Sequence, residues 1–160
     1  MDKLTVTKKN AYTISNEIDW LDTYIINRLG NYFDPTSTFV IPTAPNLTDD
    51  TSKYATFITE KKLIEIERIF IAICLALHFK PQIFDKFMIK NTALDKRFTE
   101  FGGIIDDSKS IFVPTLETIA FIFYGDSFES RFLLQNFFDH DHIFMSDRIL
   151  ELYSQKESNS

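Results

Sequence analysis

A run of nine consecutive apolar residues, Ile69–Leu77, limits the fold more than any other stretch of this chain. It lies in LIEIERIFIAICLALHF, residues 63–79, which opens on the charges Glu65, Glu67 and Arg68. The run is too short to cross a bilayer, which takes roughly 20 apolar residues. Coiled as a helix it is greasy on every side, and such a helix belongs inside a core. A chain of 160 residues buries about two-thirds of its unfolded surface, so one domain wrapped around this helix is expected. Hydrophobic residues at 44% and charged residues at 25% fit a soluble globular protein. Phe is unusually common, at 17 against four Gly and one Trp. Many rings and few glycines predict a helix-rich fold with an aromatic core, and place some Phe in an exposed partner-binding patch.

The remaining chain divides by periodicity and punctuation. Residues 10–29 carry Ile14, Ile18, Leu21, Ile25 and Leu29 on one helical stripe, widened by Trp20, Tyr24 and Tyr32. Gly30 suits the left-handed residue past its end. This helix either docks on the core or serves as an interaction arm. Residues 33–52, with Pro35, Pro42 and Pro45, read as a connecting segment in which Phe39–Ile41 is extended. The central helix falls within residues 54–79, with Thr59 as cap and Glu60 in its first turn. Pro81 opens a second helix, residues 81–89, turning Ile83, Phe84, Phe87 and Met88 inward after a sharp break. Ile104-Ile105 and Ile111–Val113 flank a five-residue turn and read as a hairpin. Thr115 caps a helix that Gly125 ends. Asp126 and Glu129 are spaced as a capping box for a helix over residues 127–138, with Phe128, Phe132, Leu133, Phe137 and Phe138 on its greasy face. Residues 148–152, RILEL, alternate as a last strand, and residues 154–160 form a polar, disordered tail. The fold class is α+β and mostly helical, with about five helices and a small hairpin or sheet.

Charge narrows the function. The net charge is −6, but residues 61–100 hold 8 basic and 5 acidic side chains. An acidic chain is a poor nucleic-acid binder, because phosphate neutralisation needs a basic face. Lys80, Lys86, Lys90, Lys96 and Arg97 form a basic edge, read first as a solvated face. The single cysteine, Cys74, sits in the apolar run and reads as a buried inert thiol. No apolar signal core opens the chain, which points to the cytoplasm and away from membranes. No stretch matches G-x-x-x-x-G-K-[ST], so this chain by itself is no P-loop ATPase. Asp139-His140-Asp141-His142 is metal-like, yet histidines two apart share a side only on an extended strand, and a polar loop is the better reading. Glu100 and Glu117 would need to stand about 5–9 Å apart for paired acid–base work. Helix capping by Glu117, and pairing of Glu100 with Arg97 or Lys96, are the expected roles instead. Neither catalytic nor metal-binding residues are assigned.

Two stretches, Arg97-Phe98-Thr99-Glu100-Phe101-Gly102-Gly103 and FVPTLETIAFIFYG at residues 112–125, resemble a known family. They look like the N-terminal, winged-helix-like domain of bacterial AAA+ ATPases, including those encoded with contractile injection systems. Glu67-Arg68 before the greasy stretch, Pro81, Pro114-Thr115-Leu116-Glu117-Thr118, Gly125-Asp126 and DHDHIF at residues 139–144 match the same pattern, which covers most of the chain. The family's hairpin tends to carry Gly and His, whereas this one holds Asp106-Asp107-Ser108-Lys109-Ser110.

The resemblance implies a division into residues 1–45 (helix and linker), 46–153 (winged-helix-like core) and 154–160 (start of a linker). It also implies a non-catalytic domain that recruits a protein partner or particle component, or positions an ATPase ring. The chain itself would carry no cofactor, and ATP and magnesium would belong to a following ATPase module of a longer protein. Arg97, Phe98, Thr99, Glu100, Phe101, Gly102, Gly103, Pro114, Thr115, Glu117 and Thr118 are then signature and contact surface. In structural terms they supply backbone freedom (Gly102, Gly103), caps (Thr115, Glu117) and an Arg97–Glu100 ion pair. The alternative is a nucleic-acid-binding winged helix, with residues 81–90 as recognition helix and Asp106–Ser110 as wing tip. A small enzyme using Glu100 and Glu117 is the third class.

Overall fold

A computed structural model describes residues 1–151. Its first helix, α1 (Lys3–Phe33), is longer than the periodicity predicts. Asp2 caps it, accepting the Thr5 N–H at 2.7 Å, so the start lies eight residues before Asn10. Gly30 stays within the helix, and the Asp34 N–H closes on the Gly30 carbonyl at 2.9 Å. Its buried stripe includes Ile18, Trp20, Leu21, Tyr24, Ile25 and Leu29. At 31 residues, α1 is about 46 Å long by helical rise. It packs on α2 (Lys53–Glu60), α3 (Glu65–Phe79) and α4 (Leu116–Tyr124), and so organises the fold that the sequence places around α3.

The central helix expected to start at Thr59-Glu60 begins later, at Glu65, and a separate, unforeseen helix precedes it. Ser52 caps α2, accepting the Ala55 N–H at 3.1 Å, and Thr59 falls in its last turn. Lys62 at φ 53° breaks the chain. Helix α3 starts at Glu65, where Glu67 accepts the Ile64 N–H at 3.1 Å. Its first half is buried through Ile69, Phe70, Ile71, Ala72 and Ile73. The second half is not: Cys74, His78 and Phe79 are exposed. An apolar run predicts burial on all sides, but past Ile73 only Ala76 is buried.

Pro81 does open the next element, Pro81–Met88, but as a 3-10 helix. Ile83, Phe84 and Phe87 are buried as expected, while Met88 is half-buried. Two small antiparallel pairs follow. One, β1 (Lys90–Asn91) with β2 (Lys96–Arg97), is unforeseen; Asn91 Oδ1 accepts the Ala93 N–H at 3.1 Å, and Asp95 adopts φ 50° to close the turn. The other, β3 (Ile104–Asp106) with β4 (Ile111–Val113), is the expected hairpin, in register Ile105↔Phe112, its turn one residue shorter because Asp106 joins the strand. Thr115 caps α4 and Gly125 ends it at φ 64°, both as predicted.

The chain divides into two compact units, the first being Met1–Asp126. Its aromatic core joins Phe87, Phe101, Phe112 and Phe121, with Phe101 and Phe121 rings 4.7 Å apart. The second begins at Ser127, which caps α5 (Phe128–Leu133) in place of Asp126, by accepting the Ser130 N–H at 3.3 Å. A 3-10 turn, Leu134–Phe138, and α6 (Ile143–Ser146) follow. The predicted greasy face is largely open: Phe128, Phe132 and Leu133 are exposed, and Leu134 is buried instead. No strand forms over residues 148–151; Arg148 turns at φ 52°, and Ile149 and Leu150 donate to the Phe144 carbonyl. Leu152, the end of that predicted strand, and the tail at 154–160 lie outside the described residues. The fold class is mostly helical α+β.

Candidate functional site

The two signature stretches come together in one joint. Arg97 ends β2, Phe98 leads into a 3-10 turn (Thr99–Phe101), and Gly102 and Gly103 reverse the chain at φ 60° and 74°. Both glycines are forced. A Cβ on Gly102 would stand 2.5 Å from Glu117 Cβ, and one on Gly103 would stand 2.1 Å from Phe112 Cζ. The freed Gly103 N–H donates to Thr115 Oγ1 at 3.0 Å, and the Thr115 N–H donates to Thr118 Oγ1 at 3.1 Å. Thr118 is fully buried. The threonines thereby satisfy the start of α4 and tie it to the glycine turn.

The rings of this joint face inward. Phe101 is buried and Phe98 packs on it at 5.2 Å, with Tyr32 edge-on to both. Arg97 lies 5.8 Å from the centre of the Phe112 ring. Among the described residues it forms no ion pair with Glu100, and neither does Lys96. Glu100 faces Tyr32 instead, whose phenol is pushed up by burial and then by that carboxylate. Thr99, Glu100 and Glu117 are exposed, and Pro114 is half-buried. The joint brings together every signature residue, yet its polar groups mostly serve its own geometry.

The buried charges lie elsewhere. Glu17 of α1 is fully buried and accepts Arg68 Nε at 3.2 Å and the Tyr54 hydroxyl at 3.0 Å; a second Arg68 nitrogen bonds its other oxygen. Burial, followed by Glu17, drives the Tyr54 phenol far up. Arg68 also donates to the Pro45 carbonyl at 3.0 Å. Three further α1 side chains hold the same segment: Trp20 donates to the Pro42 carbonyl at 3.1 Å, Asn27 to Val40 at 2.9 Å and Asn31 to Ser37 at 2.7 Å. Residues 37–45 are thus strapped along α1, without forming a strand at Phe39–Ile41.

Of the remaining candidates, His142 caps α6 by accepting the Phe144 N–H on Nδ1 at 3.1 Å, and its ring lies 5.0 Å from Phe137. Among the described residues no group of three metal-ligating side chains converges. Cys74, expected to be buried, is exposed, and its thiol is still pushed up by the apolar surroundings. Among the described residues no helix is long and apolar enough to cross a membrane.

An open groove of about 620 Å³ lies between the first half of α1 and the end of α3. Val6, Ala11, Ile14 and Phe79 supply apolar walls, with Lys53 and Lys80 among the lining residues. Neither Glu100 nor Glu117 lines it. Sequence reasoning missed this groove because α1 was expected to begin only at Asn10, and the stripe carrying Ile14 was read either as docking on the core or as an interaction arm with no groove beside it. An apolar Val6 about one turn before Asn10 was the available signal. Comparison with protein-family models, curated proteins and solved structures finds no match.

Proposed function

We propose that this chain is a non-catalytic recruiting domain, the N-terminal, winged-helix-like domain of a cytoplasmic AAA+ ATPase. Its task is to bind a protein partner or particle component and to position the ATPase ring. One observation carries the recruiting role: the resemblance residues, Arg97–Gly103 and Pro114–Thr118, fold into a structural joint, while a separate open apolar groove lies between α1 and Phe79. Such an arrangement offers contact surface. The chain has no phosphate-binding loop, so ATP and Mg²⁺ would be held by the ATPase module, and no step of nucleotide chemistry is assigned to these residues.

Nucleic-acid binding is less favoured. Three lysines of the basic edge face carboxylates: Lys80 with Asp19 at 3.7 Å, Lys86 with Asp22 at 2.7 Å and Lys90 with Asp95 at 2.6 Å. The hairpin tip carries Asp106 and Asp107, and the segment in the recognition-helix position is a 3-10 helix. A phosphate backbone needs free cations on such a face.

The test is immunoprecipitation from source cells with an antibody against residues 1–151. A captured species well above 18.7 kDa that hydrolyses ATP supports the assignment. A captured species of 18.7 kDa with no ATPase activity in the precipitate refutes it.

A further inference from the structure

The first three turns of α1 have no buried side chain before Thr13. Over residues 3–12 only Val6 and Asn10 are half-buried, and the rest are exposed. On one side of it Val6, Ala11 and Ile14 face Phe79 across the groove, and Phe79 is 62% exposed. The groove's charged lining is one-sided. The chain as a whole has 23 acidic and 17 basic residues, yet among the described residues the charged ones lining the groove are Lys53 and Lys80, with no carboxylate. Lys80 has only a long, exposed contact to Asp19, at 3.7 Å. Lys53 has no hydrogen-bonding or ionic partner among the described residues. It also stands in the first turn of α2, where the helix dipole favours an anion over a lysine.

We infer that this groove seats an amphipathic helix of a protein partner, with apolar anchors on one face and carboxylates beside them to meet Lys53 and Lys80. An open trough walled by two helical segments matches the helix-in-groove mode, in which anchors recur at three- and four-residue steps. The inference rests on the recruiting role proposed above and not on the assignment of the motor.

The probe is a display library of helical peptides with randomised faces, selected on the purified full chain, counter-selected on an unrelated acidic protein and then measured on Ala11→Glu. That variant puts a carboxylate into the groove from an exposed helical position and leaves the core untouched, which circular dichroism verifies. The expected result is a set of peptides with two or three apolar residues at helical spacing and flanking Asp or Glu. Their affinity falls at least tenfold on A11E and on Phe79→Ala. On the double reversal Lys53→Glu/Lys80→Glu it falls about fivefold, and it recovers when the peptide's acids become lysines. No enrichment over the counter-selected pool overturns the proposal. So do peptides without acids, or binding indifferent to A11E. A self-associating chain whose dimer A11E dissolves, or palmitate binding that A11E abolishes while no peptide is enriched, overturns it in favour of those occupants. All of these arms use purified protein, so they fail or succeed independently of the native size measured by immunoprecipitation.

Discussion

Gly103 offers the sharpest test of the claim that the signature is architectural. Replacing it with Ala acts twice. The new Cβ stands 2.1 Å from Phe112 Cζ and 2.5 and 2.7 Å from the two neighbouring ring carbons. Carbon atoms rest at about 3.5–4 Å, so the ring or the turn must move by more than an ångström. Phe112 has no freedom to do so: it is fully buried and packs 5.2 Å from Phe87. Overpacking of this kind costs about 1–3 kcal/mol. The backbone at φ 74° adds about 1–2 kcal/mol for an L side chain. The expected loss is about 2–5 kcal/mol, a large share of the roughly 5–15 kcal/mol that holds a domain together. Gly30 is the internal control. It lies inside α1, and a Cβ there meets nothing within 4 Å, so Gly30→Ala gains about 0.5–1 kcal/mol. Urea unfolding followed by the fluorescence of Trp20, the one tryptophan and a buried residue of the first unit, reads both changes. Phe112→Leu in the G103A background relieves the clash and leaves the φ penalty, so the two substitutions couple by about 1–2 kcal/mol. If G103A unfolds within about 0.5 kcal/mol of the wild type, or if the double variant is strictly additive, the steric account is wrong.

Other outcomes are expected from the same structure. Arg68→Met strands the buried Glu17 charge and costs about 3–5 kcal/mol in urea unfolding, and the triple change Glu17→Leu/Tyr54→Phe/Arg68→Met regains most of it. Thr115→Val removes the acceptor of the Gly103 N–H and costs about 1–3 kcal/mol, whereas Thr115→Ser stays near the wild type by the same assay. Burial pushes Asp50 up, but hydrogen bonds from Thr13 and Ser52 outweigh it and the carboxyl ends below its ordinary 3.8. Its contribution is therefore full above the unfolded value of 3.8 and fades as pH falls through the lower folded value. Acid titration of unfolding should show wild type losing stability more steeply than Asp50→Asn in that range. Cys74, exposed but with a raised thiol pKa, should react sluggishly with iodoacetamide at neutral pH and speed up in alkali without unfolding; fast reaction at pH 7 would contradict this.

Local punctuation was legible and tertiary coverage was not. Thr115, Gly125, Pro81 and the Ile105/Phe112 hairpin follow from single-residue backbone preferences, and each stands where those preferences put it. The helix stripe of α1 was equally clear. Its ends were not: Asp2 starts the helix eight residues before the expected Asn10, Asp34 and not Gly30 ends it, and only the packed structure decides. Lys62 delays the start of α3 past the expected Thr59 cap through a left-handed residue that nothing in its side chain demands. Burial of α3 and of α5 was misjudged for one shared reason: apolar sequence says that a face can be covered, not that a neighbour reaches it. Within the joint, Gly102 and Gly103 were read correctly as backbone devices. The Arg97–Glu100 pair was not, since Arg97 ends a strand and Glu100 lies in the 3-10 turn after it, which leaves one side chain toward Phe112 and the other toward Tyr32.

The strap over residues 37–45 is gripped by its carbonyls. Asn31, Asn27, Trp20 and Arg68 each donate to a main-chain oxygen, of Ser37, Val40, Pro42 and Pro45 respectively. A carbonyl is the same whatever side chain it carries, so the information that fixes this segment is written in other helices. Saturation mutagenesis should accordingly be lopsided: Thr38, Val40, Ile41 and Thr43 would accept nearly any residue, while the four distant donors would accept almost none. Phe39, which lies 3.6 Å beneath the Arg28 guanidinium, is a position of the strap whose own identity should matter, as are the half-buried Pro42, Ala44 and Pro45. A surface stretch so indifferent to its own spelling is a natural place to graft an epitope or a label.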